Sequence, residues 1–136
     1  MTEISFISRP EVPVVAALIR DGEQFFICQR PWHKARGGCW EFPGGKTESG
    51  ETPEEALVRE CREELDITLD VGDLYFDLVH EYPDITVHLY LYECAIASGT
   101  PRLLEHAAFA WITKESIADY EFCPADAEIL ERLCGE

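Results

Sequence analysis

The sequence predicts an α/β fold in which a mixed sheet packs between helices. Three features predict it: an aliphatic strand run closed by a hairpin signal, a well-capped helix after it, and a second alternating hairpin beyond the helix.

The elements follow in order. Val12 to Arg20 is β-branched and aliphatic and meets Asp21-Gly22, a strong two-residue turn signal, with Gln24 to Arg30 as the partner strand. Pro31 to Cys39 carries a proline, two glycines and three basic residues and is a loop. Trp40 to Phe42 is a short strand entering Pro43-Gly44-Gly45, where a sharp turn is expected. Thr52-Pro53-Glu54-Glu55 starts a helix, with Thr as N-cap, Pro in the first turn and Glu closing a capping box. The helix is expected to end near Leu65.

Leu74 to Tyr82 and Ile85 to Ala97 form a hairpin over Pro83-Asp84. In the second strand Ile85, Val87, Leu89 and Leu91 share one face, and Thr86, His88, Tyr90 and Tyr92 the other. Ala107 to Ile112 is a further strand, and Thr113 to Ala118 and Ala125 to Leu133 are short helices. The 136 residues carry no repeat, low-complexity tract or linker, so one domain over residues 1–136 is expected.

Composition narrows the functional classes. Apolar residues make up 46% of the chain, enough for a core, and no run approaches the roughly 20 residues needed to span a bilayer. The first ten residues lack the apolar stretch of a signal peptide, so a soluble cytoplasmic protein, monomeric or homodimeric, is expected. Net charge is −16, from 27 acidic against 11 basic residues. Such a surface repels a nucleic acid polymer, whose binding depends on Lys and Arg displacing counterions. Small phosphorylated ligands stay compatible if a divalent cation bridges them to carboxylates. The six cysteines, at 28, 39, 61, 94, 123 and 134, show neither a CxxC pair nor zinc-finger spacing. They are expected to be reduced thiols, several of them inside apolar stretches.

Seven acidic residues fall between Glu48 and Glu64. On a helix, Glu60, Glu63 and Glu64 lie within an arc of roughly 100°, beside an apolar face of Leu57, Val58, Cys61 and Leu65. Carboxylates at that spacing repel one another. Either solvation on an open face or cations bound between them offsets the repulsion, and spacing alone leaves both readings open. The Pro43-Gly44-Gly45-Lys46 entry favours the cation, because glycines let a backbone carbonyl approach a ligand closely.

Gly45, five residues, Glu51, seven residues, then Arg59-Glu60-Cys61-Arg62-Glu63-Glu64-Leu65-Asp66-Ile67 closely resembles the Nudix box. Two positions depart. Cys61 replaces an aliphatic residue, and Asp66 replaces a glycine that would end the helix in the left-handed region, where Asp is less at ease and faces the negative end of the helix dipole. Further likeness is to MutT-like enzymes and the CTP pyrophosphohydrolases among them: Gln29-Arg30-Pro31, Trp40 to Lys46, Glu105 six residues before Trp111, and Pro124-Ala125-Asp126.

The resemblance implies an α/β/α sandwich and Mg²⁺-dependent hydrolysis (Mn²⁺ also serving) of a nucleoside triphosphate to NMP and pyrophosphate. House-cleaning of oxidised or noncanonical nucleotides is the role it suggests. The Gly44 carbonyl with Glu60, Glu63 and Glu64 would hold the metal, joined by Glu105. Glu60 or Glu105 would take the proton, with Glu63 beside them. Glu51 and Arg59 would orient the ligands, Gly45 would open the loop, Arg30 would clamp phosphate and Asp126 would read the base.

An ionised Asp126 only accepts hydrogen bonds, which suits guanine or 8-oxoguanine; a protonated Asp126 satisfies cytosine. A plain helix-starting role is the bland alternative. Phe6, Trp32, Tyr82 and Trp111 are aromatic candidates for stacking, and His33 and His80 receive no role. A nucleotide-sugar or dinucleotide hydrolase is a second enzymatic reading. A binding module that does not cut is a third, against which stand the four box glutamates at 51, 60, 63 and 64.

Overall fold

A computed structural model describes residues 11–136. Its strands are β1 (Glu11–Asp21), β2 (Gln24–Gln29), β3 (Trp40–Glu41), β4 (Gly44–Lys46), β5 (Thr68–Glu81), β6 (Thr86–Ser98) and β7 (Ala108–Ile112). Helix α1 spans Pro53–Leu65 and α2 spans Ala127–Cys134, with 3-10 turns at Lys114–Asp119 and Pro124–Asp126. The strand order is β3-β2-β1-β6-β5, with β4 also on β1 and β7 also on β2. The β1–β6 pair is parallel and the others are antiparallel, so the sheet is mixed.

β1 has apolar residues at consecutive positions because both of its faces are covered. Val15, Ala17 and Ile19 pack with Leu57, Cys61 and Leu65 of α1, and Ala16 and Leu18 with Ile129 and Leu133 of α2. β6 alternates likewise: Leu89 and Leu91 belong to the α2 side, and Tyr90 and Tyr92 to the α1 side. Helices on opposite faces of one sheet make the expected α/β/α sandwich.

α1 keeps its expected bounds because its ends are specified locally. The Thr52 hydroxyl accepts the Glu55 N–H at 3.1 Å, and the Glu55 carboxylate accepts the Thr52 N–H at 2.9 Å. Asp66 does occupy the left-handed region (φ 56°, ψ 40°), and its N–H bonds back to the Arg62 carbonyl at 3.1 Å. Arg102 pairs with its carboxylate at 3.1 Å and offsets the unfavourable dipole.

Four expectations need correction. Gly44 and Gly45 lie in a strand, because Ala16, Val15 and Val14 of β1 pair with Gly44, Gly45 and Lys46. β5 begins at Thr68 rather than near Leu74; register shifts around Gly72 carry the strand past a stretch whose alternation breaks. The segment after β7 is 3-10, without a full α-turn. The last helix opens with a 3-10 turn and becomes α only at Ala127.

Candidate functional site

A cleft of about 490 Å³ opens where β1, β4, α1 and the 100–107 and 123–126 segments meet. It is lined by Gly44, Gly45, Glu60, Glu63, Glu64 and Glu105, and also by Arg30, Arg59 and Asp126. Every site residue expected from sequence therefore lines one cavity except Glu51, which reaches it through Arg59.

The chain brings distant Glu105 to the helix by solving a backbone problem. The last carbonyls of a helix lack internal partners. Here the Leu65 carbonyl accepts the Arg102 N–H at 2.9 Å and the Glu64 carbonyl accepts the Leu104 N–H at 3.3 Å. That bonding lays the 100–107 segment against the end of α1, and the exposed Glu105 follows.

Arg59 organises the acidic cluster. Its Nε and Nη2 hold Glu51 at 2.6 and 3.0 Å, and its Nη1 holds Glu60 at 2.9 Å and Glu63 at 3.0 Å. Nη2 also donates to the Lys46 carbonyl at 3.2 Å. The guanidinium holds the Glu51 carboxyl below the usual carboxylate range, and Glu51 in turn raises Arg59 above its own. Gly45 lets this cluster approach β4. A Cβ there would overlap Glu60 Oε2 and lie 2.6 Å from its Cδ.

Glu64 receives no such relief. It is buried, its Oε1 has no hydrogen-bond partner among the described residues, and His106 Nε2 stands 3.9 Å away. Burial pushes its carboxyl well up, reinforced by the hydrogen bond its protonated form donates to Glu60 and by the charges of Glu60, Glu105 and Glu41. A buried carboxylate facing like charges needs a proton or a cation. Oxygen donors from Glu60, Glu63, Glu64 and Glu105 beside the Gly44 backbone are of the kind a hard divalent cation takes, so their chemistry fits such a metal, while the ligand atoms that already stand within 4.8 Å of one another among the described residues belong to Cys28, Glu41 and His106.

Asp126 is 5% exposed and occupies the N-cap position of α2, but its carboxyl makes no capping bond to the helix and is left to face the cleft. Burial, then the charge of Glu41, pushes its carboxyl well above the usual range, while Arg30 works the other way. Arg30 is itself engaged, by Glu41 at 3.1 Å and the Ala35 carbonyl at 2.9 Å.

Two residues at the site escaped the sequence reading. Glu41 pairs with Arg30, stands 3.7 Å from His106 and acts on Asp126 through its charge. His106, with a side chain only 5% exposed, lies between Glu41 and Glu64. The available signal was a lone charge between Trp40 and Phe42 in a strand. Among the aromatic candidates, Tyr82 lines the cleft, Trp111 packs on Phe26 in the α1-side core, and Trp32 is exposed. Phe6 lies outside the described residues. All six cysteines are free, and burial pushes the Cys28 and Cys61 thiols up, keeping them protonated.

Comparison with known proteins gives the family and the fold. A NUDIX domain family model matches residues 14–132. The chain is 38% identical over 120 residues to a CTP pyrophosphohydrolase of Escherichia coli, covering 88% of this chain and 89% of the relative. It is 33% identical over 126 residues to an 8-oxo-dGTP diphosphatase of Haemophilus influenzae, covering 92% and 93%. Among solved structures, a MutT protein from Methanosarcina mazei superposes with a TM-score of 0.84 at 28% identity, over 95% of this chain and 96% of that one. The E. coli ORF135 protein does so with 0.79 at 35%, over 93% and 91%.

Proposed function

The chain belongs to the NUDIX family, and from that premise we propose that it is a Mg²⁺-dependent nucleoside triphosphate pyrophosphohydrolase releasing NMP and pyrophosphate. The observation that carries this reading is Glu64: a buried carboxylate turned toward like charges, in a cleft of nucleotide size. Glu60, Glu63, Glu64 and the Gly44 carbonyl would hold the cation, with Glu105 beside it; Mn²⁺ fits the same donors. When bound, a divalent cation neutralises phosphate charge and lowers the pKa of water.

The chain's own residues do the rest. Arg59 holds Glu60 and Glu63 in place and screens their mutual repulsion, and Glu51 fixes Arg59 from behind. Glu60 has one oxygen committed to Arg59, whereas exposed Glu105 has no hydrogen-bond partner among the described residues, which favours Glu105 as proton acceptor over Glu60. Arg30, beside Glu41, meets the phosphates.

Burial favours the neutral form of Asp126. A neutral carboxyl presents one donor and one acceptor, which pairs with N3 and the 4-amino group of cytosine. We therefore place cytosine nucleotides first, in line with the CTP pyrophosphohydrolase relative. The 8-oxo-dGTP reading, a house-cleaning role, keeps specific support from the 8-oxo-dGTP diphosphatase relatives and from Arg30, which favours the ionised carboxylate that guanine needs.

The deciding experiment is a hydrolysis panel of CTP, dCTP, 5-substituted dCTP, dGTP and 8-oxo-dGTP with Mg²⁺, scoring NMP and pyrophosphate. Cytosine substrates are expected to lead. Absence of both products across the panel refutes the activity, and tight binding without turnover supports a binding module instead.

A further inference from the structure

The cleft contains a buried phenol to which the hydrolytic reading gives no task. Tyr82 is 7% exposed, and its own N–H bonds to the Ile85 carbonyl at 2.8 Å in the turn between β5 and β6. Its hydroxyl oxygen accepts the N–H of Ala125 at 2.9 Å, a buried bond between residues 43 apart in sequence. Ala125 is the middle of the Pro124–Asp126 turn, so this N–H is among those that a helical start leaves without an internal partner. The turn is otherwise tied by backbone bonds, from Asp126 N–H to the Cys123 carbonyl at 3.0 Å and from Cys123 N–H to the Trp40 carbonyl at 2.9 Å.

Arg36 covers the other side of the phenol. Its guanidinium lies 3.9 Å from the Tyr82 ring centre and pairs with Asp84 at 3.1 Å. Arg36 also lines the cleft and holds φ at 57°, a left-handed conformation uncommon for so long a side chain. Such a conformation costs energy, which the Asp84 pair and the ring contact help to offset.

We propose that Tyr82 is a positioning residue for base selection: through Ala125 it sets where Asp126 meets the base, and Arg36 clamps it from the loop. This rests on the reading of Asp126 as the base-facing group. Hydrogen bonds to a base edge are directional. A small displacement of Asp126 therefore weakens pairing with one base more than with another, and leaves the reaction at α1 unaffected.

Tyr82→Phe keeps the ring under Arg36 and deletes only the acceptor, stranding a buried N–H. KM for the preferred nucleotide is expected to rise about tenfold, with kcat and the Mg²⁺ requirement unchanged. The ratio of kcat/KM between CTP and 8-oxo-dGTP should shift toward unity. Arg36→Gln should move the same ratio in the same direction, by about threefold.

The test is a double-mutant cycle on that ratio, with Asp126→Ala, Tyr82→Phe and both together, each checked for a cooperative melt. Alanine is used at position 126 because asparagine would keep the donor and acceptor of a neutral carboxyl. If Tyr82 acts through Asp126, the double variant has the ratio of Asp126→Ala alone; additive effects overturn the proposal. Should Tyr82→Phe fail to fold, Arg36→Gln is carried through the same cycle, and an unchanged ratio there overturns it. A ratio insensitive to Asp126→Ala defeats the base reading itself. A ratio sensitive to Asp126→Ala but not to Tyr82→Phe defeats only the present inference.

Discussion

Gly45 and Gly44 are adjacent in one strand, yet adding a methyl group to each should produce opposite failures. At Gly45 the new Cβ would overlap the Glu60 carboxylate, whose Cδ lies 2.6 Å away, against an ordinary contact of at least 3.4 Å. Relief requires Glu60 to retreat by roughly 0.8 Å, several times the ±0.2 Å tolerance of metal–ligand distances. Misplacement near 1 Å typically costs about 100-fold in rate, or about 2.7 kcal/mol of barrier. The carboxylate is the end of a flexible side chain, so the fold should accommodate the change. Gly45→Ala is thus expected to melt within a few degrees of wild type, to need more Mg²⁺ for half-maximal activity, and to lose about two decades of kcat/KM. At Gly44 the Cβ would strike the backbone, overlapping the Val15 carbonyl oxygen and lying 2.8 Å from Ala16 Cα. Gly44→Ala should therefore lower Tm sharply through loss of the β1–β4 pairing. Calorimetry with Mg²⁺-dependent kinetics on both variants checks this. Full activity in Gly45→Ala at the wild-type Mg²⁺ optimum would refute the placement of Glu60 in the metal set.

Mg²⁺ should raise Tm, by about 2.7 kcal/mol of stability at 100 times its Kd. Glu64→Gln should abolish most of that shift and most turnover while stabilising the metal-free protein, as differential scanning fluorimetry with and without chelator would show. The buried Asp126 carboxyl has a folded pKa raised above its unfolded value. The folded state then binds the extra proton, and stability falls as pH rises from about 4 toward the folded pKa. Asp126→Asn should accordingly raise Tm at pH 8, with the gain vanishing near pH 4; a pH-independent gain contradicts the assignment. Arg59→Lys should cut activity roughly 10–100-fold, since an ammonium cannot span Glu51, Glu60 and Glu63 together; near-normal kinetics would argue against Arg59 as organiser. Asp66→Gly should stabilise α1 by roughly 0.5–1 kcal/mol, because glycine enters the left-handed region freely; a fall in Tm would mean that the Arg102 pair outweighs the strain.

Much of this protein is written locally. Thr52, Pro53 and Glu55 specify where α1 begins, and the i, i+3, i+4 spacing puts Glu60, Glu63 and Glu64 on one flank whatever the rest of the chain does. The Asp21-Gly22 turn and the β-branched run likewise determine the first hairpin. What depends on chain segments meeting was not legible from local pattern, and only the family resemblance pointed to Glu105. Gly44 and Gly45 lie in a strand only because β1 is there to pair with them. Glu105 reaches the cluster because its loop supplies donors to the last carbonyls of α1. The pairing of Cys28 with Glu41 across β2 and β3 places the latter between Arg30 and His106, which no spacing in the sequence encodes. The environment of Asp126 is the clearest instance. Sequence decides that a carboxyl stands at position 126, whereas desolvation and the charge of Glu41, both products of packing, decide whether it carries a proton.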